Sequence, residues 1–138
     1  MSNLLVRAEA DIKIAKLLIS PDGNPTNDEM LTDQAAYHAQ QAIEKALKYQ
    51  TEMMGVDYTK THNLTGLIAT LEKQGFSVSD DLKGKAFEIS DWEASGRYKD
   101  DFLVVKSEIE HAIDMFEELK GRILEHTEKS TGKDSESE

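Results

Sequence analysis

The chain has 138 residues, enough to bury one core without disulfides or a metal, and contains no cysteine, which excludes disulfides, thiolate nucleophiles, iron–sulfur clusters and cysteine-ligated zinc. Sixteen Lys and Arg against 27 Asp and Glu leave a net charge of −11, which opposes non-specific attraction to nucleic acid or anionic lipid, so any phosphate contact needs a local basic patch. No apolar run is long enough to span a bilayer and no basic-then-apolar start marks a secretion signal, so a cytoplasmic protein without membrane contact is expected.

In chain order, residues 3–19 place Leu4, Leu5, Ala8, Ile12, Ala15 and Ile19 on one helical stripe, which should face the core. Val6, Ala10, Ile14 and Leu17 form a second stripe on nearly the opposite side. A helix apolar on two sides needs two partners, so it is either buried centrally in its own bundle or shared with a second copy across a two-fold axis. Pro21-Asp-Gly-Asn-Pro25 then predicts a loop.

The next helix, about residues 31–54, carries Ala35, Ala39, Ala42, Ile43, Ala46, Leu47 and Met53 on one face, whose small residues permit close approach of neighbouring helices. His38, Gln41, Lys45 and Tyr49 line the opposite strip, read as outward-facing. Thr61 can cap a short helix with Leu64, Leu67, Ile68 and Leu71 inward, ending at Gly75 with Phe76 closing it. Ser79 can cap a fourth helix bearing Leu82, Ala86 and Ile89, which ends near Gly96 before the linker Arg97-Tyr98-Lys99. Asp100 or Asp101 caps a last long helix, about residues 101–125, where Phe102, Val105, Ile109, Ala112, Phe116, Leu119 and Ile123 recur by threes and fours. From Thr127 onward no large apolar residue remains, which predicts a disordered acidic tail over 127–138 after one domain over 1–126. The fold class is therefore all-α: an up-and-down four-helix bundle with one additional short helix.

No glycine-rich phosphate loop, G-x-S-x-G or H-E-x-x-H motif occurs, and the paired Glu-x-x-His motifs of di-metal bundles are missing, so neither a metal nor a cofactor is expected. Of the four histidines, His126 reads as a surface residue near the frayed end, His111 as a solvent or interface residue, and His38 as an ordinary outward residue. His62 is either a helix-start residue satisfying a backbone group or a ligand group. Arg97 can bind phosphate bidentately and Tyr98 can offer a ring face to a base; equally, Arg97 can pair with a carboxylate while Tyr98 wedges the linker.

The segment Ala36-Tyr37-His38-Ala39-Gln40-Gln41-Ala42-Ile43-Glu44-Lys45-Ala46-Leu47-Lys48 resembles the signature helix of HEPN domains. Thr61-His62-Asn63-Leu64 is similar to the family's Thr-His-x-Leu start of the next helix, and Arg97-Tyr98 resembles its Arg-Tyr-Pro linker, with Lys99 in place of the proline. The resemblance, over about residues 3–125, implies a bundle of four to five helices, commonly dimeric, that works with nucleotide or RNA. It further implies a minimal nucleotidyltransferase as partner, in a toxin–antitoxin-like pair. The Arg-x(4–6)-His motif of HEPN ribonucleases is absent: His111 lies too far beyond Arg97, and Arg122 and His126 have three residues between them. No catalytic role is carried over, and ligand-binding roles are assigned to Arg97, Tyr98, His62 and Lys45. The alternatives are a diverged metal-independent ribonuclease and a non-catalytic dimeric interaction module.

Overall fold

The computed structural model describes residues 2–58, 63–94 and 104–136, with side chains throughout except at 94 and 130–136. The described residues contain five α-helices and no strand: α1 (Leu4–Leu18), α2 (Glu29–Met53), α3 (Leu64–Lys73), α4 (Asp80–Ser90) and α5 (Lys106–Glu136), with a 3₁₀ turn at Asp91–Ala94 after α4. The all-α expectation holds.

The hairpin between α1 and α2 is organised by Asn24, a buried polar residue inside the proline-bracketed loop. Its amide nitrogen donates to the Asp28 carbonyl at 3.1 Å and its Oδ1 accepts from the Asp28 N–H at 2.7 Å. Asp28 in turn caps α2 by accepting from the Met30 N–H at 2.8 Å. Gly23 is required in this loop, because a Cβ there would stand 2.1 Å from the Leu17 carbonyl oxygen.

The centre of the bundle is α2, not α1. No residue from Leu31 to Thr51 is fully exposed, and α2 packs against α1, α3, α5 and the 3₁₀ turn. Five alanines, Ala35, Ala36, Ala39, Ala42 and Ala46, are completely buried around it and let neighbouring backbones approach closely. Met53, expected on the inner face, is instead exposed at the end of the helix. α1 packs on α2 and α5 through Ala8, Ile12 and Ala15, with Leu5 and Ile19 partly covered, while its second stripe faces outward.

α2 and α3 stop by the same device. After α2, the Val56 N–H bonds to the Thr51 carbonyl at 2.9 Å and the Gly55 N–H to Glu52 at 3.0 Å, with Gly55 at φ 70°. After α3, Phe76 bonds to Leu71 at 3.0 Å and Gly75 to Glu72 at 3.1 Å, with Gly75 at φ 90° and Phe76 buried, the closure expected there. The N-cap of α3 is Asn63, which accepts from the Gly66 N–H at 2.7 Å, so the helix starts later than the Thr61 cap predicts. Ser79 caps α4 as expected, accepting from the Leu82 N–H at 3.1 Å.

α5 differs from expectation at both ends. Its predicted caps and Phe102 lie outside the described residues, and the helix is described from Lys106. Val105 is 63% exposed and Val104 buried, because Val104 precedes the helix and is drawn in by its N–H bond to the buried Asp33 carboxylate at 3.2 Å. Ile109, Ala112, Phe116, Leu119 and Ile123 then form the core stripe as predicted. Beyond Thr127, where composition predicts disorder, the helix continues to Glu136. Local pairs support the extension: Thr127 Oγ1 bonds to the Ile123 carbonyl at 3.0 Å, and Lys129 pairs with Glu125 one turn earlier at 3.1 Å.

Candidate functional site

A buried carboxylate sits in the seam between α1 and α2. Asp11 lies on α1 directly beside the core stripe, between Ala8 and Ile12, and only 8% of it is exposed. Its Oδ1 is 2.9 Å from His38 Nδ1 and its Oδ2 accepts from Lys45 Nζ at 2.5 Å. His38 and Lys45 are two turns apart on α2, so one carboxylate bridges both and pins the two helices in register. Lys45, expected to point outward, is therefore about three-quarters buried and held by a carboxylate, because the part of the strip that carries His38 and Lys45 faces α1.

A second polar row runs along α2 toward its C-terminal end. Gln41 Nε2 donates to Gln40 Oε1 at 2.7 Å, Gln40 Nε2 to Glu44 at 3.1 Å, and Lys48 Nζ to Glu44 at 3.1 Å. The Lys48 ammonium also stands 5.9 Å from the centroid of the Tyr58 ring, within cation–π range. The Tyr58 hydroxyl donates to Glu52 at 2.6 Å. This bond, with some burial, pushes the phenol up to about 12, and it holds the Glu52 carboxyl below its ordinary range.

His62, Arg97 and Tyr98 lie outside the described residues. The described chain around them forms one corner: Asn63, next after His62, caps α3, and the Leu64 N–H donates to Ser90 Oγ at 3.1 Å. Ser90 ends α4, just before the 3₁₀ turn whose buried Trp92 packs into the core.

Of the two other histidines, His111 stays at the surface as read and His126 departs from its reading. His111 Nε2 lies 2.5 Å from Asp81 Oδ2 and links α5 to α4. His126 is not a free surface residue: its Nδ1 is 3.1 Å from Nε2 of the fully buried Gln50, and its ring meets Phe76 edge-on at 5.7 Å. His126 and Arg122 both line a cleft of about 700 Å³ between α5 and the α3–α4 loop. Arg122 is engaged as a strut there, with Nε on both Glu118 oxygens at 2.6 and 2.7 Å and Nη1 on the Ser77 carbonyl at 3.2 Å. Among the described residues no three His, Asp or Glu side chains are grouped to hold a metal ion, and no helix is long and apolar enough to cross a membrane.

A family model described as the HEPN domain matches residues 1–126. The chain belongs to the HEPN family. No curated protein and no solved structure matches it significantly. Membership places this protein with nucleotide- and RNA-related function at the level of the family. The geometry also explains what the HEPN signature encodes here. Of residues 36–48, Ala36, Ala39, Gln40, Ala42, Ile43, Ala46 and Leu47 are buried, so most of the signature is the packing pattern of the central helix. The polar remainder, His38, Gln41, Glu44, Lys45 and Lys48, makes the two side-chain networks described above.

Sequence reasoning passed over Asp11, Gln50 and the contact of His126 with Gln50. Asp11 carried a signal: an acid flanking an apolar stripe while the next helix offers a His and a Lys two turns apart. Gln50 and His126 carried none, being far apart in sequence and ordinary in type.

Proposed function

We propose that this HEPN protein binds a nucleotide or a short single-stranded RNA at the corner where the chain leads into α3 and out of α4, and that it works beside a minimal nucleotidyltransferase in a toxin–antitoxin-like pair. The HEPN match over residues 1–126 carries this reading. In it, the Arg97 guanidinium takes a phosphate bidentately, the Tyr98 ring stacks on a base, and His62 supplies a further donor. The bond between Leu64 and Ser90 supports bringing His62 and Arg97 to one place, since it ties together the described segments that flank them. Lys45 is a secondary contributor, because a phosphate would have to draw its ammonium away from Asp11. The protein acts as a homodimer in this reading, and its role is binding rather than catalysis. With a net charge of −11, few phosphates can be contacted, so affinity should fall only shallowly with salt.

The test is a titration of ATP, GTP and a short labelled RNA against the wild type and an Arg97→Ala, His62→Ala double variant. Binding that weakens by about tenfold or more in the variant supports the site; equal binding by both proteins removes it. Co-purification with a co-expressed minimal nucleotidyltransferase tests the partnership separately.

A further inference from the structure

We infer that the outer face of α1 docks an acidic amphipathic helix from a different protein. Val6, Ile14 and Leu17 are 71%, 40% and 54% exposed, and with the exposed Ala10 they make one continuous ridge at helical spacing. Scattered apolar residues on a surface need no explanation, but four in register on one helix present a ridge to a partner.

The charges around that ridge select the partner. Every other charged side chain of α1 is paired with a neighbouring helix: Glu9 to Lys120 and Lys16 to Glu117, both on α5, and Asp11 to His38 and Lys45 on α2. The two that remain, Arg7 on one flank of the ridge and Lys13 on the other, are exposed and have no acidic partner among the described residues. An apolar ridge with a cation on each side is thus presented by a chain of net charge −11. Its complement is a helix with an apolar stripe edged by Asp or Glu.

A second copy of this chain does not fit. A two-fold axis parallel to α1 puts Arg7 on the same flank as Lys13 of the copy, and one running across α1 puts each cation on the same flank as its own equivalent. In either arrangement the copy's α1 brings only further cations to the rim and no carboxylate to pair with them. A nucleic acid would find only two cations, with an aliphatic ridge and no aromatic ring between them, on a chain of net charge −11. This surface does not rest on the nucleotide site: the ridge is on the exposed side of α1, whereas Asp11, which holds Lys45, is on its buried side and the proposed ligand corner lies at α3 and α4.

The experiment uses the full chain and two synthetic helical peptides of identical leucine stripe, one edged with Glu and one with Lys. The Glu peptide should bind saturably and about tenfold more tightly than the Lys peptide. Arg7→Glu with Lys13→Glu should reverse that order. Ile14→Ser with Leu17→Ser should weaken binding of the Glu peptide about tenfold while the circular dichroism spectrum and Tm stay unchanged, which separates loss of the surface from loss of fold. Equal binding of the two peptides, or no saturable binding of the Glu peptide, overturns the inference. So does sedimentation showing a wild-type dimer that the Ile14→Ser, Leu17→Ser variant dissociates, because a second copy then occupies the face.

Discussion

Lys45 Nζ lies 2.5 Å from Asp11 Oδ2, across the seam between the first two helices, while the other oxygen of the same carboxylate faces His38 at 2.9 Å. Asp11 therefore answers two basic groups of α2 from one position on α1, and both of those groups are about three-quarters buried.

Removing the shared carboxylate should hurt more than removing either basic group. Asp11→Ala strands Lys45 and His38 in a half-buried seam and should destabilise the protein by about 2–3 kcal/mol, in line with hydrogen bonds to charged groups. Lys45→Met keeps the aliphatic stem packed and leaves His38 on Asp11, so a smaller loss is expected. Urea unfolding of both variants and of the double variant gives the coupling. A double variant whose loss equals the sum of the single losses shows that the pair does not interact.

Asp33 offers a test of a buried acid that serves as an acceptor. Burial raises its carboxyl pKa, the Val104 N–H bond works against that rise, and the Glu29 charge adds to it. A raised folded-state pKa means the ionised acid is disfavoured on folding. The penalty is absent below the unfolded-state value and fully present once pH has risen through the folded-state value. Asp33→Asn keeps an oxygen for Val104 and loses the buried charge, so at neutral pH it should match or exceed the wild type in Tm, the difference vanishing in acid. Asp33→Ala leaves the Val104 N–H unsatisfied and should cost about 1–3 kcal/mol.

Tyr58 should ionise later than an ordinary phenol. Its phenol, pushed up to about 12 by the Glu52 bond, keeps that stabilisation below the ordinary tyrosine range and loses it as pH rises through about 12. Glu52, held low mainly by the same bond, contributes stability above the ordinary carboxyl range and loses it as pH falls through its lowered value. Alkaline titration followed by tyrosinate absorbance should show one late step that Tyr58→Phe removes and Glu52→Gln moves toward ordinary tyrosine behaviour. An unchanged late step in Glu52→Gln would show that the bond is not its cause.

Two glycines should respond oppositely to alanine. At Gly23 a Cβ would lie 2.1 Å from a backbone oxygen, so the α1–α2 loop must shift and Gly23→Ala should lower Tm. At Gly84, inside α4, nothing lies within 4 Å of the added carbon, and Gly84→Ala should stabilise by about 0.5–1 kcal/mol through the lower helix-interior cost of alanine. Thermal unfolding of the two variants side by side decides both.

The amino-acid sequence by itself determined the helices, their inner stripes, the Ser79 cap, the Gly75 stop and the family resemblance, because each is a relationship between residues a few positions apart. It placed Lys45 on a strip but not what that strip faces, and it could not reach the described surroundings of the proposed ligand corner. Tertiary structure alone decided that α2 rather than α1 is central, that Asp11 meets His38 and Lys45, that Asp33 holds Val104, and that Gln50 meets His126. Those pairs are separated by 27 to 76 residues. Periodicity says which side of a helix is apolar about its own axis; the rotation of one helix against another is set by how all the inner faces pack at once, and that rotation decides which polar flanks meet.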